Sequence, residues 1–367
     1  MVIGIIITSG VCQASYVNLI AKCCCTGVSR TWLASLILVW TGTLASAQIG
    51  GLKPAAGAAA EGVISVASGS DVATEIPITV MRGGKPGPTL AVIAGLDGTA
   101  YAPIAATYLI ANNLKLEALK GTIVVVHIAN LPAYVARSMY VNPVDHKDLS
   151  RVFPGKADGT QSERIAYAIT TQVIEKSDYV IDLAAVGSNT ALAPHVYQAV
   201  SGDSKVDAKI AAMTMAFGIN YIVTDRAAQT SKVTLESAAL AHLKPVLKVM
   251  CGSFGIVDNR TLEAMTKGIS SVMSLFEMNS EAPAKTRVPV FFDHVAYVDS
   301  PGTGMLSAYV QRGQNVHKGE PMFSISSYHA KDPQIVSAPI DGIVISMMTT
   351  PPVSNGEAVA LIGTPRE

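Results

Sequence analysis

The residues best placed for chemistry lie in the turn AGLDGTAYAP, residues 94–103, which ends an apolar run and begins a predicted helix. Its glycines and its YAP ending are typical of a metal-site turn. At the positions where such a turn carries histidine and glutamate, this chain has Asp97 and Ala100. Aspartate can bind a metal ion through its carboxylate, but alanine supplies no ligand atom. The turn therefore has the outline of a metal site that lacks part of its donor set.

A metal site displaced from this turn would need other ligands. The candidates are Asp97, Asp145, His146, Asp182 and His195. Their spacing matches no standard ligand motif, and we expect His146 to be a solvated loop residue and His195 a packed one. Cys251 follows the apolar run VLKVM, and the sequence identifies no histidine beside it that could lower its pKa. We therefore expect Cys251 to be a core residue rather than a nucleophile.

The composition excludes several classes of function. The chain has 367 residues, of which 49% are hydrophobic and 15% charged, and its formal net charge is zero. That length allows a large core and two domains. A neutral chain without a basic block is a poor partner for nucleic acid, whose phosphates require a positive surface. The chain also lacks a phosphate-binding glycine loop with a lysine and a dinucleotide fingerprint.

The first 47 residues have the features of an export leader. Arg30 precedes an apolar segment that ends in Ala45-Ser46-Ala47, the three-part layout of a signal peptide with cleavage after Ala47. The protein would then be periplasmic or extracellular, and a retained membrane anchor is the alternative. Four of the five cysteines lie in the leader, so the mature chain would have no internal disulfide. Residues 1–27 fit a signal peptide poorly, and translation from Val28 would explain them.

The pattern after the leader predicts three further segments. Residues 48–62 are rich in small residues and indicate a linker. Residues 63–283 alternate β-branched runs such as TLAVIAG and DYVIDLA with helical patterns such as SERIAYAITTQVIEK. This alternation predicts an α/β domain with a mixed sheet flanked by helices. Residues 284–367 contain short strands separated by glycine turns, which predicts an all-β, barrel-like module.

The end of the β-module resembles the second half of a biotinyl/lipoyl-type barrel, in QIVSAPIDGIVI followed by NGEAVALIG. A carrier lysine in such a barrel would correspond to Lys331. Its neighbours are Ala330 and Asp332 rather than the paired methionines of biotin carriers. We expect Lys331 to be an ordinary exposed residue at the tip of a hairpin.

The order of landmarks over residues 60–367 resembles the succinylglutamate desuccinylase/aspartoacylase family, which has a zinc-carboxypeptidase-like fold. These landmarks are GPTLAVIAG, the turn at 94–103, GTIVVVHIAN, NPVDHKDLSRVFPG, SERIAYAI, DYVIDLA and KPVLKVMCG. The resemblance implies zinc as the cofactor, bound by a histidine and a glutamate of the turn and by a second histidine after a later Asp-Leu. Such a zinc ion activates water for hydrolysis of an amide, and a glutamate takes the proton of that water.

The residues at the corresponding positions differ from those of the family. The resemblance assigns the first histidine to Asp97, the zinc-binding glutamate to Ala100 and the second histidine to Ala184. It assigns the base glutamate to Met250. Alanine and methionine supply neither a hard ligand nor a base. We therefore predict no bound zinc and a catalytically degenerate member of the family, that is, a pseudoenzyme.

The part of the site that binds substrate is better preserved. The resemblance assigns to Arg151 the arginine that holds a substrate carboxylate, a task that suits its planar, two-pronged guanidinium. Ser150 replaces a neighbouring asparagine and can still donate one hydrogen bond. Two interpretations stay open: Arg151 binds the carboxylate of a ligand, or it pairs with a nearby acidic side chain and holds its loop.

The sequence thus predicts an exported, non-catalytic binder of a small carboxylate or an N-acyl amino acid. Its further partners would be copies of itself or an active relative, and nucleic acid is not among them. The alternative is an active metal-dependent hydrolase of amide or ester bonds with a rearranged set of metal ligands.

Overall fold

A large mixed sheet flanked by helices forms the centre of the structure, as the alternating pattern predicts. The structure is a computed structural model that describes residues 48–226, 232–281 and 288–366. The strands are β1 (Ala58–Val66), β2 (Thr74–Arg82), β3 (Lys85–Ala94), β4 (Lys120–Val126), β5 (Tyr179–Ala184), β6 (Thr190–Leu192), β7 (His195–Ala199), β8 (Tyr221–Asp225), β9 (Val246–Met250), β10 (Val290–Asp299), β11 (Gly304–Ala308), β12 (Asn315–Val316), β13 (Pro321–Ser326), β14 (Gln334–Ser337), β15 (Gly342–Met348), β16 (Pro352–Val353) and β17 (Ala358–Pro365). The helices are α1 (Tyr101–Asn113), α2 (Leu131–Ala136), α3 (Gln161–Ile169), α4 (Ser204–Phe217), α5 (Leu235–Ala241) and α6 (Asn259–Leu275).

The middle of the sheet consists of parallel strands. The main path has the order β1-β2-β4-β3-β5-β9-β7-β8-β10-β17-β15-β12. Strands β4, β3, β5 and β9 run parallel to one another, whereas β7 is antiparallel to β9. The carboxyl ends of β3, β5 and β9 therefore meet at one edge of the sheet, where ligand sites of open α/β sheets usually lie.

Both faces of the parallel strands are buried, which explains their continuous apolar runs. Alternate residues of each strand point to opposite faces, so Val92 belongs to one apolar cluster and Ile93 to the other. Helices α3 and α5 contribute to the cluster that contains Ile93, and α1 and α6 to the cluster that contains Val92. Full burial of one such side chain contributes about 1.5–3 kcal/mol to folding. These clusters hold the strand ends, and hence the site, in place.

The carboxyl-terminal part is all β-structure, as predicted, and it extends the large sheet. Strands β10, β17, β15 and β12 continue the main path, while β14, β13, β11 and β16 form a second, four-stranded sheet. An apolar core that includes Phe323 and Ile362 joins the two sheets. Lys331 is exposed in the turn between β13 and β14, as expected. The boundary predicted between residues 283 and 284 lies outside the described residues and stays a prediction.

The predicted linker over residues 48–62 is wrong for its last five residues, which lie in a strand. Residues 58–62 form the beginning of β1, which pairs antiparallel with β2 from Ala58 opposite Arg82 to Val66 opposite Thr74. The run of small residues shows no alternation of apolar and polar side chains, which is why the sequence does not predict a strand. Pairing with a neighbouring strand needs only the backbone N–H and C=O groups. The predicted leader, residues 1–47, lies outside the described residues. Within the described ranges, none of the helices combines the length and the apolar composition that a membrane span needs.

Candidate functional site

The carboxyl ends of β3, β5 and β9 border a cavity of about 220 Å³. All six site positions taken from the sequence line this cavity. The full lining consists of Leu96, Asp97, Ala100, Tyr140, Asp148, Ser150, Arg151, Asp182, Leu183, Ala184, Ala185, Val186, Lys248 and Met250. The volume is below the range of about 300–1,000 Å³ that is usual for drug-sized ligands. The cavity therefore suits a small metabolite.

The turn after β3 is shaped by two glycines that approach other backbone segments. Gly95 has a φ of +73°, and a Cβ atom there would lie 2.9 Å from the Cα of Ile128. A Cβ atom at Gly98 would lie 2.3 Å from the backbone of Ala133. Both distances are too short for any side chain, so the path of the turn requires glycine at these positions.

Both oxygens of the Asp97 carboxylate take part in holding this turn. Oδ1 accepts hydrogen bonds from the amide of Thr99 at 2.6 Å and from its hydroxyl at 2.8 Å. Oδ2 accepts a hydrogen bond from the amide of Tyr140 at 3.3 Å. The carboxylate thus joins the turn to the segment that contains Tyr140, and this use competes with binding of a cation.

Apolar side chains occupy the other positions to which the resemblance assigns metal and base. Ala184 at the end of β5 lies opposite Met250 at the end of β9, and Ala100 precedes α1 and is 2% exposed. These three side chains offer one thioether and no nitrogen or oxygen donor. We call Asp97, Ala100, Ala184 and Met250 the metal-position side of the cavity.

A loop ending in a short 3₁₀ turn, Leu149–Arg151, brings Ser150 and Arg151 to the same cavity. Asp148 organises this turn: its Oδ1 accepts from the amide of Ser150 at 2.9 Å and from its hydroxyl at 2.7 Å. Its Oδ2 lies 3.2 Å from Nε of Arg151. The Arg151 side chain is 79% exposed, and its terminal nitrogens form no hydrogen bond to the described residues. Pairing with an acidic neighbour and binding of a ligand are therefore compatible.

A buried trio of charges lies at the floor of the cavity; Asp182 and Lys248 line the cavity, and the third member, Glu236, does not. Nζ of Lys248 lies 3.3 Å from Oδ2 of Asp182 and 3.2 Å from Oε1 of Glu236. The side chains of Asp182 and Glu236 are 1% and 4% exposed, and that of Lys248 is 23% exposed. Oδ1 of Asp182 is buried and has no hydrogen-bond partner among the described residues.

Burial and mutual attraction shift the pKa values of the trio in different directions. Burial raises the pKa of Asp182 to about 7, although Lys248 opposes this effect. Burial also raises the pKa of Glu236, but the nearby Lys248 outweighs it and the net direction is downward. For Lys248 burial lowers the pKa, and attraction to Glu236 and Asp182 reverses this, so its pKa is above the ordinary value.

The sequence analysis noted Asp182 but missed Lys248 and Glu236. One signal was available, because a lysine inside the apolar strand VLKVM needs an acidic partner if it is buried. We call Ser150, Arg151, Asp182 and Lys248 the charged side of the cavity.

The other candidate ligands, Asp145, His146 and His195, do not line the cavity. Asp145 accepts hydrogen bonds at 2.8 Å from the amide and hydroxyl of Ser162 at the start of α3. His146 is exposed, as predicted. His195 is buried, as predicted; its Nδ1 lies 2.9 Å from the carbonyl oxygen of Ala193, and burial lowers its pKa to about 4. Within the described ranges, no group of three or more histidine, cysteine or acidic side chains could hold a metal ion.

Cys251 is a core residue, as predicted. It is 1% exposed, and burial raises the pKa of its thiol to about 12. A thiol that stays protonated at neutral pH is a poor nucleophile.

Comparisons with known proteins agree with this arrangement of elements. The family model for the succinylglutamate desuccinylase/aspartoacylase catalytic domain matches residues 86–276. The N-alpha-acetyl-L-2,4-diaminobutyric acid deacetylase of Halomonas elongata is 26% identical over 296 residues, which is 79% of this chain and 86% of the relative.

Two solved structures share the fold. A succinylglutamate desuccinylase/aspartoacylase from Rhodobacter sphaeroides has a TM-score of 0.76 and 23% identity, and the match covers 84% of this chain and 96% of the other. The product-bound ectoine utilization protein EutE (DoeB) from Ruegeria pomeroyi also has a TM-score of 0.76 and 23% identity, with coverage of 83% and 95%. Because the family model covers more than half of the sequence, the chain belongs to the succinylglutamate desuccinylase/aspartoacylase family of deacylases.

Proposed function

We propose that this protein binds a small molecule with a carboxylate, such as an N-acyl amino acid, and does not hydrolyse it by a zinc mechanism. The observation that carries the proposal is the contrast within one cavity. The metal-position side has one carboxylate and three apolar side chains, whereas the charged side has a guanidinium whose terminal nitrogens form no hydrogen bond within the described part of the chain.

The donor set does not fit zinc. Zinc in a hydrolase is held by three nitrogen or carboxylate ligands, and the fourth position is left for water. Of the three ligand positions only Asp97 offers oxygen atoms, and these accept hydrogen bonds from Thr99 and Tyr140. Met250 at the position of the base cannot take a proton from water.

The charged side supports binding of a carboxylate. The two terminal nitrogens of Arg151 can donate parallel hydrogen bonds to one carboxylate, a geometry that a lysine cannot reproduce. Ser150 lies beside it, and Asp148 holds both residues in their turn. The Halomonas elongata relative is named for a substrate that is an N-acetylated amino acid, and a ligand of this class would carry the required carboxylate.

A second candidate function is metal-dependent hydrolysis with rearranged ligands. Asp97 and Asp182 line the same cavity, and Oδ1 of Asp182 has no partner within the described part of the chain. Membership in a family of deacylases also favours this candidate. It requires Asp97 to exchange its hydrogen bonds for a metal ion and at least one further ligand to move into the cavity.

Metal content and ligand binding together distinguish the two functions. The purified protein is offered excess zinc and desalted, and its metal is measured by elemental analysis. The proposed function predicts no retained zinc together with saturable binding of N-acetyl amino acids in calorimetric titrations. About one zinc per chain together with release of acetate would instead establish the metallohydrolase.

We also propose export, with cleavage after Ala47, because the leader has the three-part layout of a signal peptide. The mass of the amino-terminal peptide of the mature protein tests this. A form that begins near Gln48 is expected, whereas a retained apolar segment would indicate a membrane anchor.

A further inference from the structure

The metal-position side of the cavity presents mainly hydrocarbon to a ligand. Ala100, Ala184 and Met250 line it, and their side chains contain one thioether and no nitrogen or oxygen atom. Asp97 is the polar member of this side, but Oδ1 accepts hydrogen bonds within its own turn and Oδ2 accepts one from the amide of Tyr140. A ligand group on this side therefore meets methyl and methylene groups and a carboxylate that is already hydrogen-bonded.

The backbone on this side is also paired within the chain. The carbonyl oxygen of Ala100 accepts a hydrogen bond from the amide of Ile104 at 3.4 Å, and that of Ala184 accepts one from the amide of Cys251 at 2.9 Å. Met250 lies in β9, which is paired on both edges, with β5 and with β7. A ligand hydroxyl or amide placed here would give up its hydrogen bonds to water without replacing them, which is unfavourable.

The ring of Tyr140 adds a fixed aromatic surface to the cavity. Tyr140 lines the cavity, and its hydroxyl donates to Oδ1 of Asn189 at 3.1 Å. The carbonyl oxygen of Asn189 in turn accepts from the amide of Thr349 at 2.8 Å and from its hydroxyl at 3.0 Å. The hydroxyl proton of Tyr140 is thus used in a connection to the carboxyl-terminal part and is not available to a ligand.

We propose that the cavity selects carboxylates with an uncharged aliphatic side chain, with the carboxylate at Arg151 and the aliphatic group against Ala100, Ala184 and Met250. This inference rests on the proposed function for the carboxylate end. It narrows the ligand class to N-acyl derivatives of aliphatic amino acids. It disfavours derivatives whose side chains end in an amide or a charged group.

The preference follows from what each kind of side chain loses when it leaves water. Burial of hydrocarbon is favourable in proportion to its area, and each buried methylene should tighten binding about threefold to fourfold. A carboxamide of the same size loses its hydrogen bonds to water. The charged side offers it little in exchange, because Lys248 is already paired with Asp182 and Glu236. The volume of about 220 Å³ limits the length of the aliphatic group.

Calorimetric titration with a matched pair of ligands tests the proposal. N-acetyl-L-leucine and N-acetyl-L-asparagine have the same charge and the same number of non-hydrogen atoms, and their side chains end in an isopropyl group and a carboxamide. The wild type is expected to bind the leucine derivative at least about tenfold more tightly, because only its side chain gains from burial against hydrocarbon.

Three variants locate the origin of this preference. Met250→Gln keeps the length of the side chain, places an amide in the apolar wall and should reduce the preference at least about threefold. Met215→Gln is the matched control, since Met215 is exposed on α4 and does not line the cavity. Arg151→Ala should weaken both ligands by a similar factor and keep their ratio, because the carboxylate is common to both.

Thermal melts without ligand verify that the variants fold, and the ligand pair on the wild type is decisive even if Met250→Gln fails to fold. If the wild type binds both ligands equally, or binds N-acetylasparagine more tightly, the aliphatic preference is wrong while the proposed carboxylate binding stands. A preference that a folded Met250→Gln leaves unchanged would also overturn it, because the aliphatic group would then lie elsewhere. If neither ligand binds the wild type, the proposed function and this inference fail together.

Discussion

The two sides of the cavity differ in the side chains that they carry: the metal-position side is mostly apolar, and the charged side is ionic. On the metal-position side the turn after β3 keeps its two required glycines, but the side chains that face the cavity are mostly apolar. On the charged side, Lys248 joins two buried carboxylates, and Asp148 holds Arg151 and Ser150. The comparison teaches that the backbone geometry of a site and the chemistry of its side chains are separable. Four predictions test this contrast.

The largest expected effect is all-or-none binding of zinc after restoration of the metal-position side. The quadruple variant D97H/A100E/A184H/M250E supplies three ligands and a base at positions that border one cavity. Because the frame of the turn is intact, we expect about one zinc per chain after desalting, measured by elemental analysis, and none in the wild type. The single variant M250E is the control, since it adds a base without ligands. Zinc retention by the wild type would contradict the contrast between the two sides.

We expect a large loss of stability when the ammonium of Lys248 is removed from the trio. Lys248→Met leaves Asp182 and Glu236 buried without a counter-ion, and breaking a buried pair in this way costs about 3–5 kcal/mol. Urea denaturation measures the free energy of unfolding. The double variant K248M/E236Q should recover part of the loss, because only one buried carboxylate remains uncompensated. A loss below about 1 kcal/mol in Lys248→Met would show that the trio is not a coupled unit.

Because the pKa of Asp182 is raised, its contribution to the free energy of unfolding should fall as the pH rises. A carboxylate with a lowered pKa has the opposite effect. The pKa of Asp182 is about 7 in the folded protein against an ordinary value of 3.8 for aspartate, so the folded state binds more protons than the unfolded state between these pH values. The free energy of unfolding should therefore contain a contribution that is present at pH 5 and lost as the pH rises through 7.

Urea denaturation at pH 5 and pH 8 of the wild type and Asp182→Asn isolates this contribution. The difference in stability between them should shift by up to a few kcal/mol, since one pKa unit corresponds to about 1.4 kcal/mol. The variant is expected to gain relative to the wild type at the higher pH. An identical difference at both pH values would refute the raised pKa.

The smallest expected effect concerns Arg151 at the rim of the charged side. Arg151→Ala should weaken binding of N-acetyl amino acids by at least about 1.5 kcal/mol, the low end for a hydrogen bond to a charged group. Arg151→Lys should recover only part of the loss, because an ammonium lacks the two-pronged geometry. Calorimetric titration measures both variants. Unchanged affinity in Arg151→Ala would leave the arginine with a role in its loop alone.

Most of the fold was predictable from the sequence because it follows from local patterns. Buried β-branched runs and amphipathic helices alternate, and their order matches the landmarks of one family. The sequence also placed the turn at residues 94–103 and Arg151 at the site, because each belongs to a continuous motif. Cavity-lining positions could therefore be listed before their arrangement was known.

The sequence pattern missed the strand at residues 58–62 and the charged trio for physical reasons. The alanines at 58–60 look unstructured because their side chains carry no apolar period, yet their backbone pairs with β2. The trio was missed because Asp182, Glu236 and Lys248 come from three elements and meet only when α5 packs over β5 and β9. The charge balance of the floor is a tertiary property.

The hydrogen bonds of Asp97 also affect the mutational paths open to this position. A single change to histidine would remove the bonds from the amides of Thr99 and Tyr140, with an expected loss on the order of 1–3 kcal/mol. Two further substitutions, at Ala100 and Ala184, would be required before a bound metal ion could offset that loss. A single change at this position would therefore lower stability without yet completing a zinc site, so the hydrogen bonds of Asp97 oppose a stepwise change toward zinc binding.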